Sequence, residues 1–364
     1  MTLEFIEQLL ATLSVLKLTI FYGFVGNVFE VMHSAYIVMT LSMKLIGCSL
    51  KYLTQVYMKN GFFSFKLQEY IKVSGVSRDY IIDVFNKSSF HELSKCDLTT
   101  LSRWVSGKTV PSLYKQYAAC IVLGIDLFKY IAELDPSMCV EGKKDKDTIE
   151  HYTRYLNGSN ATIGYFPRGE HVEIFHALLG KYEHRRLLDP YFSNFSGFMS
   201  LREKVDSNNI EKSFYTYLFK EGGSLCGHLS FTDDCSDHLK VFGVYDESLK
   251  HSIGITPAYY IDAKIYWYMA CCLFYFYLSK GNYKKNIYAT MSTRDRNSWE
   301  YYKQVADGET LAFFSPTVKS NTPDRGLFYI KFNILKLLSK PTILAKFQEF
   351  LQNYNESTYL PIEI

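Results

Sequence analysis

The stretch DLTTLSRWVSGKTVPSLYKQYAACIVLG, residues Asp97–Gly124, decides the fold of the first half of the chain, because it holds a helix, a turn and a second helix in order. Asp97 can cap the first helix, since its carboxylate accepts backbone N–H groups at a helix start. Gly107 stands where that helix must stop, because glycine adopts the left-handed conformation without a steric penalty. Pro111 disfavours helix before it, and Ser112 can cap the second helix. Three apolar residues recur at helical spacing in the first helix and can face a core: Leu98, Leu101 and Val105.

The runs TLSRWVSGKTVPS and YAACIVLGIDL resemble the second half of a helix-turn-helix domain of the lambda-repressor/Cro (XRE) family. In that family the helix at the position of Asp97–Val105 lies in the major groove of double-stranded DNA. The resemblance implies that Arg103 contacts a guanine, whose O6/N7 edge matches the planar guanidinium. It also implies that Lys108 and Thr109 reach phosphates from the turn. Four residues would face bases or phosphates: Thr99, Thr100, Ser102 and Arg103.

Helical patterns on both sides of this stretch extend the predicted DNA-binding domain over residues 59–135. Apolar residues recur at helical spacing in Phe65–Val73, and Ser77 can cap the helix that follows. Gly124–Leu134 supplies the closing helix. Asn86–Cys96 makes the connection before the predicted recognition helix longer than the family pattern expects. This part of the chain is therefore predicted to be all-α.

The composition limits what the chain as a whole can bind. Its 364 residues are 48% hydrophobic and 16% aromatic, which suffices for several buried cores. The formal net charge is only +3, so any contact with DNA must come from a local patch. The eight cysteines form no CxxC pair and are typical of buried thiols in a reducing cytoplasm. His171 and His176 lack the spacing of a helical ligand set, so no metal site is predicted.

Residues 1–58 form an apolar helical leader with three alternative interpretations. Leu9–Phe29 and Ala35–Leu53 are nearly long enough to span a membrane, and lysines interrupt both of them. A lysine near the middle of a span costs about 2.5–3.5 kcal/mol on insertion, which counts against a membrane hairpin. The same segments could pack on the rest of the protein as a helical pair. In the third interpretation translation starts at Met58, and residues 1–57 do not belong to the working protein.

A helical linker is predicted over residues 136–190. Pro136–Thr148 is charged and lacks apolar periodicity, which is typical of a linker or of a solvated helix start. His171–Leu188 has apolar residues at helical spacing and predicts an amphipathic helix that packs on the next domain or on a partner subunit. Three basic residues near the C-terminus of this helix would complement the helix dipole: His184, Arg185 and Arg186.

From about residue 192 the hydrophobic period indicates strands. Ser213–Lys220 and Leu225–Phe231 alternate around a turn, which predicts a β-hairpin. The further predicted elements are strands at Lys240–Tyr245, Ser252–Ile255, Lys284–Ala289 and Leu311–Phe314, a long helix at Ile261–Ser279, a helix from Arg296, and a closing helical pair at Ile330–Leu351. This order resembles a GNAT-type N-acetyltransferase fold. The chain is therefore predicted to be multidomain, with an α/β (α+β, GNAT-like) part over residues 191–364.

The connection before the long helix departs from the GNAT pattern. Working members of that family hold the pyrophosphate of acetyl-CoA on a glycine-rich loop at this helix N-terminus. Here the corresponding residues read TPAYYIDAKIY, with the bulk of Tyr259 and Tyr260 and the negative charge of Asp262. The departure predicts that the domain binds no acetyl-CoA cofactor and is not catalytic. Tyr301 and Tyr302 could mimic the family's tyrosine acid, but packing is the default role in a chain with 30 tyrosines.

The sequence therefore predicts a cytoplasmic, sequence-specific transcriptional regulator. Its helix-turn-helix would bind double-stranded DNA as a homodimer, because a single module offers a small interface. The GNAT-like domain would sense a small-molecule ligand or hold the dimer together. Two alternatives stay open: an active GNAT-type acyltransferase with an accessory helical domain, and a regulator anchored in the inner membrane through residues 1–53.

Overall fold

A computed structural model describes residues 61–159, 171–193, 196–314, 327–354 and 359–362. The chain divides into two compact units, and the first unit contains the described residues 61–82 and 96–110. The second unit contains the remaining described residues. The predicted DNA-binding segment 59–135 is therefore shared between the two units, and the leader 1–58 lies outside the described residues. The described residues form a helical part and an α/β part, whose sheet has both parallel and antiparallel strands.

The first unit contains α1 (Phe62–Ser74), the start of α2 (Arg78–Lys87) and α3 (Leu98–Val105). α3 begins where the sequence predicts, because the Thr100 N–H donates to the Asp97 carboxylate at 2.7 Å. The glycine at position 107 follows α3 with φ 70°, the left-handed conformation expected at the end of a helix.

One face of α3 is covered by α1. The Ser64 hydroxyl donates to the Val105 carbonyl at 2.7 Å, and the Phe63 and Trp104 rings meet edge to face with centroids 6.0 Å apart. The buried side chains of α3 are Leu101, Trp104 and Val105. The prediction that Leu98 faces a core is wrong, since Leu98 is 48% exposed. It lies in the first turn, whereas the contacts from α1 reach the opposite end of α3.

Three helices open the second unit: α4 (Leu113–Leu123), α5 (Leu127–Glu133) and α6 (Lys143–Ser159). α4 ends where the sequence predicts, with Gly124 in the left-handed conformation. Ser112 is the N-cap residue of α4, as predicted, but its side chain makes no cap hydrogen bond. The Gln116 side-chain amide instead donates to the Pro111 carbonyl at 2.7 Å and fixes the start of α4.

The second unit also carries the strands β1 (Glu173–Leu179), β2 (Phe214–Glu221), β3 (Ser224–Thr232), β4 (Ile253–Ile255), β5 (Tyr259–Tyr260), β6 (Tyr288–Thr293), β7 (Glu309–Phe314), β8 (Leu327–Asn333) and β9 (Tyr359–Pro361). Within the described residues they form one sheet in the order β7-β8-β6-β4-β3-β2-β1-β9, with β5 beside β3. The predicted hairpin is confirmed as β2–β3, with Tyr215 opposite Phe231. β4 runs parallel to β6, and β1 runs parallel to β9.

The helices around the sheet are α7 (Lys181–Phe192), α8 (Ser196–Ser207), α9 (Ser236–Phe242), α10 (Ala263–Ser279), α11 (Arg296–Val305), α12 (Ile334–Leu338) and α13 (Pro341–Asn353). The predicted long helix is confirmed as α10, which makes the crossover that joins the parallel strands β4 and β6. The order of elements is a hairpin (β2–β3), a strand (β4), the long helix α10, a strand (β6) and a helix (α11). This is the order on which the resemblance to a GNAT-type fold was based. Among the helices that the structure describes, none combines the length and the apolarity that a membrane crossing requires.

The predicted helix His171–Leu188 is wrong over residues 173–179, whereas residues 181–188 do lie in a helix, α7. Its first part is β1, whose residues pair with β2 from Glu173 opposite Lys220 to Leu179 opposite Phe214. Leu178 is 58% exposed and Leu179 is 2% exposed, which is the alternation of a strand. The sheet therefore includes residues that precede 191, the predicted start of the α/β part. The expected positive helix C-terminus is also wrong, because residue 184 lies in the first turns of α7 and its histidine is buried.

Three smaller elements also differ from the prediction. The strand predicted at Lys240–Tyr245 is wrong: α9 occupies its first half, residues 240–242, and is followed by the left-handed Gly243. The strand predicted at Lys284–Ala289 starts only at residue 288, after a 3-10 turn over residues 282–284. The closing helical pair starts later than predicted, since β8 extends to Asn333, whose side chain then caps α12 by accepting the Lys336 N–H at 3.0 Å.

Candidate functional site

A cavity of ≈ 230 Å³ opens where the parallel strands β4 and β6 separate. The two strands are paired as far as Ile255 and Met291. Beyond that point the Thr256 N–H donates to the Ser230 carbonyl of β3 at 2.9 Å, while β6 continues to Thr293. The carboxyl ends of parallel strands are the usual ligand position in an open α/β sheet, so this cavity is the candidate functional site.

Apolar side chains form most of the cavity wall. α10 contributes one continuous face, since Tyr266, Ala270 and Leu273 follow one another at helical spacing and all line the cavity. The sheet closes the opposite side. The main apolar contributors are Leu229, Ile255, Met269, Leu273, Phe274 and Met291.

The polar end of the cavity is organised by Asp295, the residue that caps α11. Its Oδ2 accepts the Ser298 N–H at 2.8 Å and the Ser298 hydroxyl at 2.7 Å. The Ser298 hydroxyl lies 2.9 Å from the hydroxyl of Tyr152, which comes from α6. Because the Ser298 proton is directed to a carboxylate, Tyr152 must donate to Ser298. A second α6 hydroxyl, that of Tyr155, donates to the Asp295 Oδ1 at 3.0 Å.

A second pair of hydroxyls belongs to two further tyrosines that line the cavity. The Tyr266 and Tyr302 oxygens are 2.9 Å apart, and both side chains are buried. Burial raises the pKa of both tyrosines above the ordinary value of 10.0. The same cause raises the pKa of Tyr152 well above 10.0. These hydroxyls therefore stay protonated and neutral across the physiological pH range, and none is prepared to act as a base.

The N-terminus of α10 is closed to phosphate. Asp262 is 3% exposed, and its carboxylate accepts the Ile265 N–H at 2.9 Å. The Ala263 N–H donates to the Asn157 side-chain oxygen at 3.1 Å. A pyrophosphate placed here would meet a buried carboxylate and amides that already have acceptors. Acetyl-CoA, the cofactor that a GNAT-type fold implies, does not fit these residues.

The connection between β4 and α10 is also fixed by close packing. An added Cβ at Gly227 of β3 would lie 2.8 Å from the Tyr259 carbonyl oxygen and 2.6 Å from a methyl group of Ile265. The Ile261 N–H donates to the Cys226 carbonyl at 3.1 Å. This connection thus lies against β3 as the short strand β5, where a glycine-rich phosphate loop would need open space.

The six residues predicted to bind DNA lie on and after α3. Four of them are exposed, and two, Thr100 and Ser102, are partly buried. The exposed residues are Thr99, Arg103, Lys108 and Thr109. The structure adds one residue that the sequence analysis missed: the Arg78 guanidinium donates to the Ser102 hydroxyl at 3.1 Å. The assignment of these residues to DNA stays a prediction.

The residues missed at the cavity come from α6. The sequence analysis assigned this segment to a linker, yet Tyr152 and Tyr155 build the polar end and Asn157 binds the start of α10. Apolar or aromatic residues at helical spacing over Ile149–Leu156 were the available signal. Of the two tyrosines proposed from the sequence, Tyr302 lines the cavity and Tyr301 stacks on Tyr152 at 4.2 Å.

Comparison with known proteins found no matching family and no matching curated protein. Similar solved structures include an aminoglycoside N(6')acetyltransferase from Legionella pneumophila, 11% identical, which matches over 45% of this chain and 94% of its own length with a TM-score of 0.26. FeeM, an N-acyl amino acid synthase from uncultured soil microbes, is 11% identical over 47% of this chain and 96% of its own, with a TM-score of 0.27. An uncharacterised protein from Bacillus halodurans is 8% identical over 46% and 81%, with a TM-score of 0.26. Similarity at this level of sequence identity and TM-score does not assign an activity to this chain.

Proposed function

We propose that the chain is a sequence-specific DNA-binding regulator whose sheet unit binds a small ligand without catalysing a reaction. In this proposal α2 and α3 form a helix-turn-helix, and α3 enters the major groove. The observation that carries the proposal is the division of α3 into a buried face and an exposed polar face. A helix anchored on one side and polar on the other can present side chains to base edges.

The chemistry of the exposed face supports DNA as the partner. Arg103 has the planar donor pair that matches a guanine edge, and Thr99 can donate to or accept from a base. Lys108 follows in the turn, where a cation reaches phosphates. Arg78 adds a further guanidinium beside Ser102. Because the whole chain carries a net charge of only +3, this local group of cations would supply most of the attraction to DNA.

The chemistry of the sheet unit supports ligand binding over acyl transfer. Asp262 closes the position at which the pyrophosphate of acetyl-CoA would bind. The cavity hydroxyls are neutral, so no side chain there is prepared to take a proton from an amine. A pocket with apolar walls and a few hydrogen-bonding groups at one end is suited to holding a small molecule. Occupancy of this cavity would then be the signal that changes DNA binding.

The proposal is tested by selecting DNA sequences with the full chain and then measuring affinity by gel shift. Arg103→Ala should weaken binding to the selected sequence by about 1–3 kcal/mol and relax the preference at one base pair. Arg154→Ala, which removes an exposed arginine of α6, is the matched control and should leave affinity unchanged. We expect two half-sites about one helical turn apart, because the protein should bind as a homodimer.

If the two arginine substitutions weaken DNA binding equally, the attraction is a non-specific effect of charge. In that case α3 does not recognise a DNA sequence. Calorimetry with acetyl-CoA separates the proposal from the acyltransferase alternative, since we expect no binding heat. Binding that is lost on substitution near Asp262 would favour the enzyme. The membrane-anchored alternative concerns residues 1–53, which lie outside the described part of the chain.

A further inference from the structure

Two histidines are buried between α7 and the sheet. His184 of α7 is 7% exposed, and its ring stacks on that of Phe214 in β2 with centroids 4.3 Å apart. His228 of β3 is 1% exposed. The Phe192 ring at the end of α7 lies against both histidines, with its centroid 6.4 Å from His184 and 5.6 Å from His228. The two imidazoles therefore belong to one interface, which joins α7 to the sheet.

Neither imidazole has the partners that a positive charge would need. The Nε2 atoms of both rings are buried, and neither makes a hydrogen bond within the described part of the chain. A neutral imidazole can leave one nitrogen as an unused acceptor, whereas an imidazolium has two N–H donors. Protonation would therefore leave a charged N–H without an acceptor in a buried interface, which costs free energy.

The groups around the two rings add to this cost. Burial, and then the charges of His228, Arg185 and His238, lower the pKa of His184 to about 3. Burial also lowers the pKa of His228 to about 4, and the Pro257 carbonyl that faces its ring only partly offsets the shift. Among the described residues, no carboxylate contributes to the pKa shift of either histidine.

Tyrosines from two further elements face His228 and bring no charge. The Tyr191 ring of α7 meets it edge to face with centroids 4.9 Å apart, and the Tyr259 ring of β5 lies 6.2 Å away. Burial raises the pKa of both tyrosines, so they stay neutral. The remaining charged groups are Lys212, Asp234 and Asp237 around His238, and Arg294 beside Tyr191.

The ion pairs of α7 connect it to α8. The Arg185 guanidinium donates to the Asp206 carboxylate at 2.7 Å, and the Lys181 ammonium lies 3.2 Å from the same carboxylate. The Arg202 guanidinium of α8 lies 2.8 Å from the Asp189 carboxylate of α7. These pairs do not hold α7 to the sheet, so they can remain intact if α7 separates from it.

We propose that acid releases α7 from the sheet: when His184 and His228 take up protons, the helix detaches so that both imidazolium rings reach water. The proposal goes beyond the ligand-binding role of the sheet unit, because it adds a control on access to the cavity. Tyr191, at the end of α7, lines that cavity. Detachment of α7 would therefore remove part of the cavity wall.

Hydrogen–deuterium exchange of the full chain at about pH 7.5 and about pH 5.0 tests this proposal, with each rate corrected for the intrinsic effect of pH. The protection of α7 should fall by about 30-fold for each histidine, because about pH 5.0 is ~1.5 units below the ordinary histidine pKa of 6.5. At the lower pH, α7 should be at least about tenfold less protected than the buried helix α10, because local release needs less free energy than global unfolding.

Phenylalanine keeps an aromatic ring at each position and cannot take up a proton. The double variant His184→Phe, His228→Phe should therefore lose the dependence of α7 protection on pH. His176→Phe, at an exposed position of β1, is the matched control and should retain it. Each single variant should retain a change of about 30-fold, which gives a second measurement if the double variant does not fold.

Three outcomes would overturn the proposal. Equal protection of α7 and α10 at about pH 5.0 would mean that the whole unit unfolds together. A protection of α7 that does not change with pH would mean that acid does not release the helix. An unchanged pH dependence in the double variant would assign the release to other groups. None of these measurements uses DNA or a ligand, so this proposal and the proposed function can fail independently.

Discussion

The helices α3 and α10 both begin at an aspartate cap, and the two caps lie in opposite surroundings. The Asp97 carboxylate is exposed and accepts the Thr100 N–H at the start of a helix with a solvent-facing polar side. The Asp262 carboxylate is 3% exposed and stands at the start of a helix that is buried on almost every side. An aspartate cap therefore occurs both in α3, whose polar side is accessible to a polyanion, and in α10, whose N-terminus has no room for phosphate. Burial around the cap, and not the cap itself, decides what each helix can bind.

The largest expected effect concerns burial in α10. Phe274 is 1% exposed and meets Phe347 of α13 edge to face, with centroids 5.9 Å apart. Phe274→Ala should lower the free energy of unfolding by about 3–5 kcal/mol, because it removes a large buried ring and leaves a cavity. Urea denaturation of the full chain measures this change.

Phe313→Ala is the control for this substitution, since Phe313 is 49% exposed on β7. Because its ring still meets that of Phe328 with centroids 4.8 Å apart, this substitution should lower the free energy of unfolding by about 0.5–1.5 kcal/mol, well below the loss at Phe274. If Phe274→Ala and Phe313→Ala lower the free energy of unfolding equally, α10 is not buried as the structure describes.

The sequence predicted α3 and α10 well because their determinants are local. A cap, an apolar period and a following glycine all lie within a dozen or so residues, and tertiary contacts only reinforce them. β1 was missed because the spacing of Val172, Phe175 and Leu179 coincides with a helical period, whereas its partner β2 lies far along the chain. The cavity's polar end was missed for the same reason, since Tyr152 bonds to Ser298 across 146 positions. Such pairings follow from sheet topology, which periodicity does not report.

The second prediction contrasts the acid sensitivity of the two regions. Burial lowers the pKa of His228 in β3 to about 4 from an ordinary 6.5. Between pH 6.5 and pH 4, His228 binds a proton in the unfolded chain but stays neutral in the native protein. The free energy of unfolding therefore falls as the pH falls from 6.5 towards 4. At Asp97 the Thr100 N–H lowers the carboxyl pKa below 3.8, so the α3 cap is lost only in stronger acid.

Urea denaturation at about pH 7.5 and about pH 5.5 should show a loss of about 1.4 kcal/mol that is due to His228. His228→Leu should remove that part of the pH dependence, whatever it does to stability at the higher pH. His176→Leu, at an exposed position of β1, should retain it. If the pH dependence is unchanged in His228→Leu, then His228 is not the group that resists protonation.

The third prediction separates the charge of the buried cap from its hydrogen bond. Asp262→Asn keeps an acceptor for the Ile265 N–H, and asparagine is as good a cap as aspartate, so stability should be nearly unchanged. Asp262→Ala should lower the free energy of unfolding by about 0.5–2 kcal/mol. We expect neither variant to bind acetyl-CoA in calorimetry, because the Ala263 N–H remains bonded to Asn157. Acetyl-CoA binding to both variants, and not to the unaltered chain, would show that charge, and not packing, closes this helix start.

The smallest effect is expected at Lys108, in the exposed turn after α3. If Lys108 contacts a phosphate, Lys108→Ala should weaken binding to all sequences about equally, because phosphates carry no base identity. It should also reduce the slope of log affinity against log salt by about one, since one fewer counterion is released. Lys284→Ala, at an exposed position of the second unit, should leave the slope unchanged. A loss confined to one sequence would instead place Lys108 at a base edge, and the open side of α3 would extend into the turn.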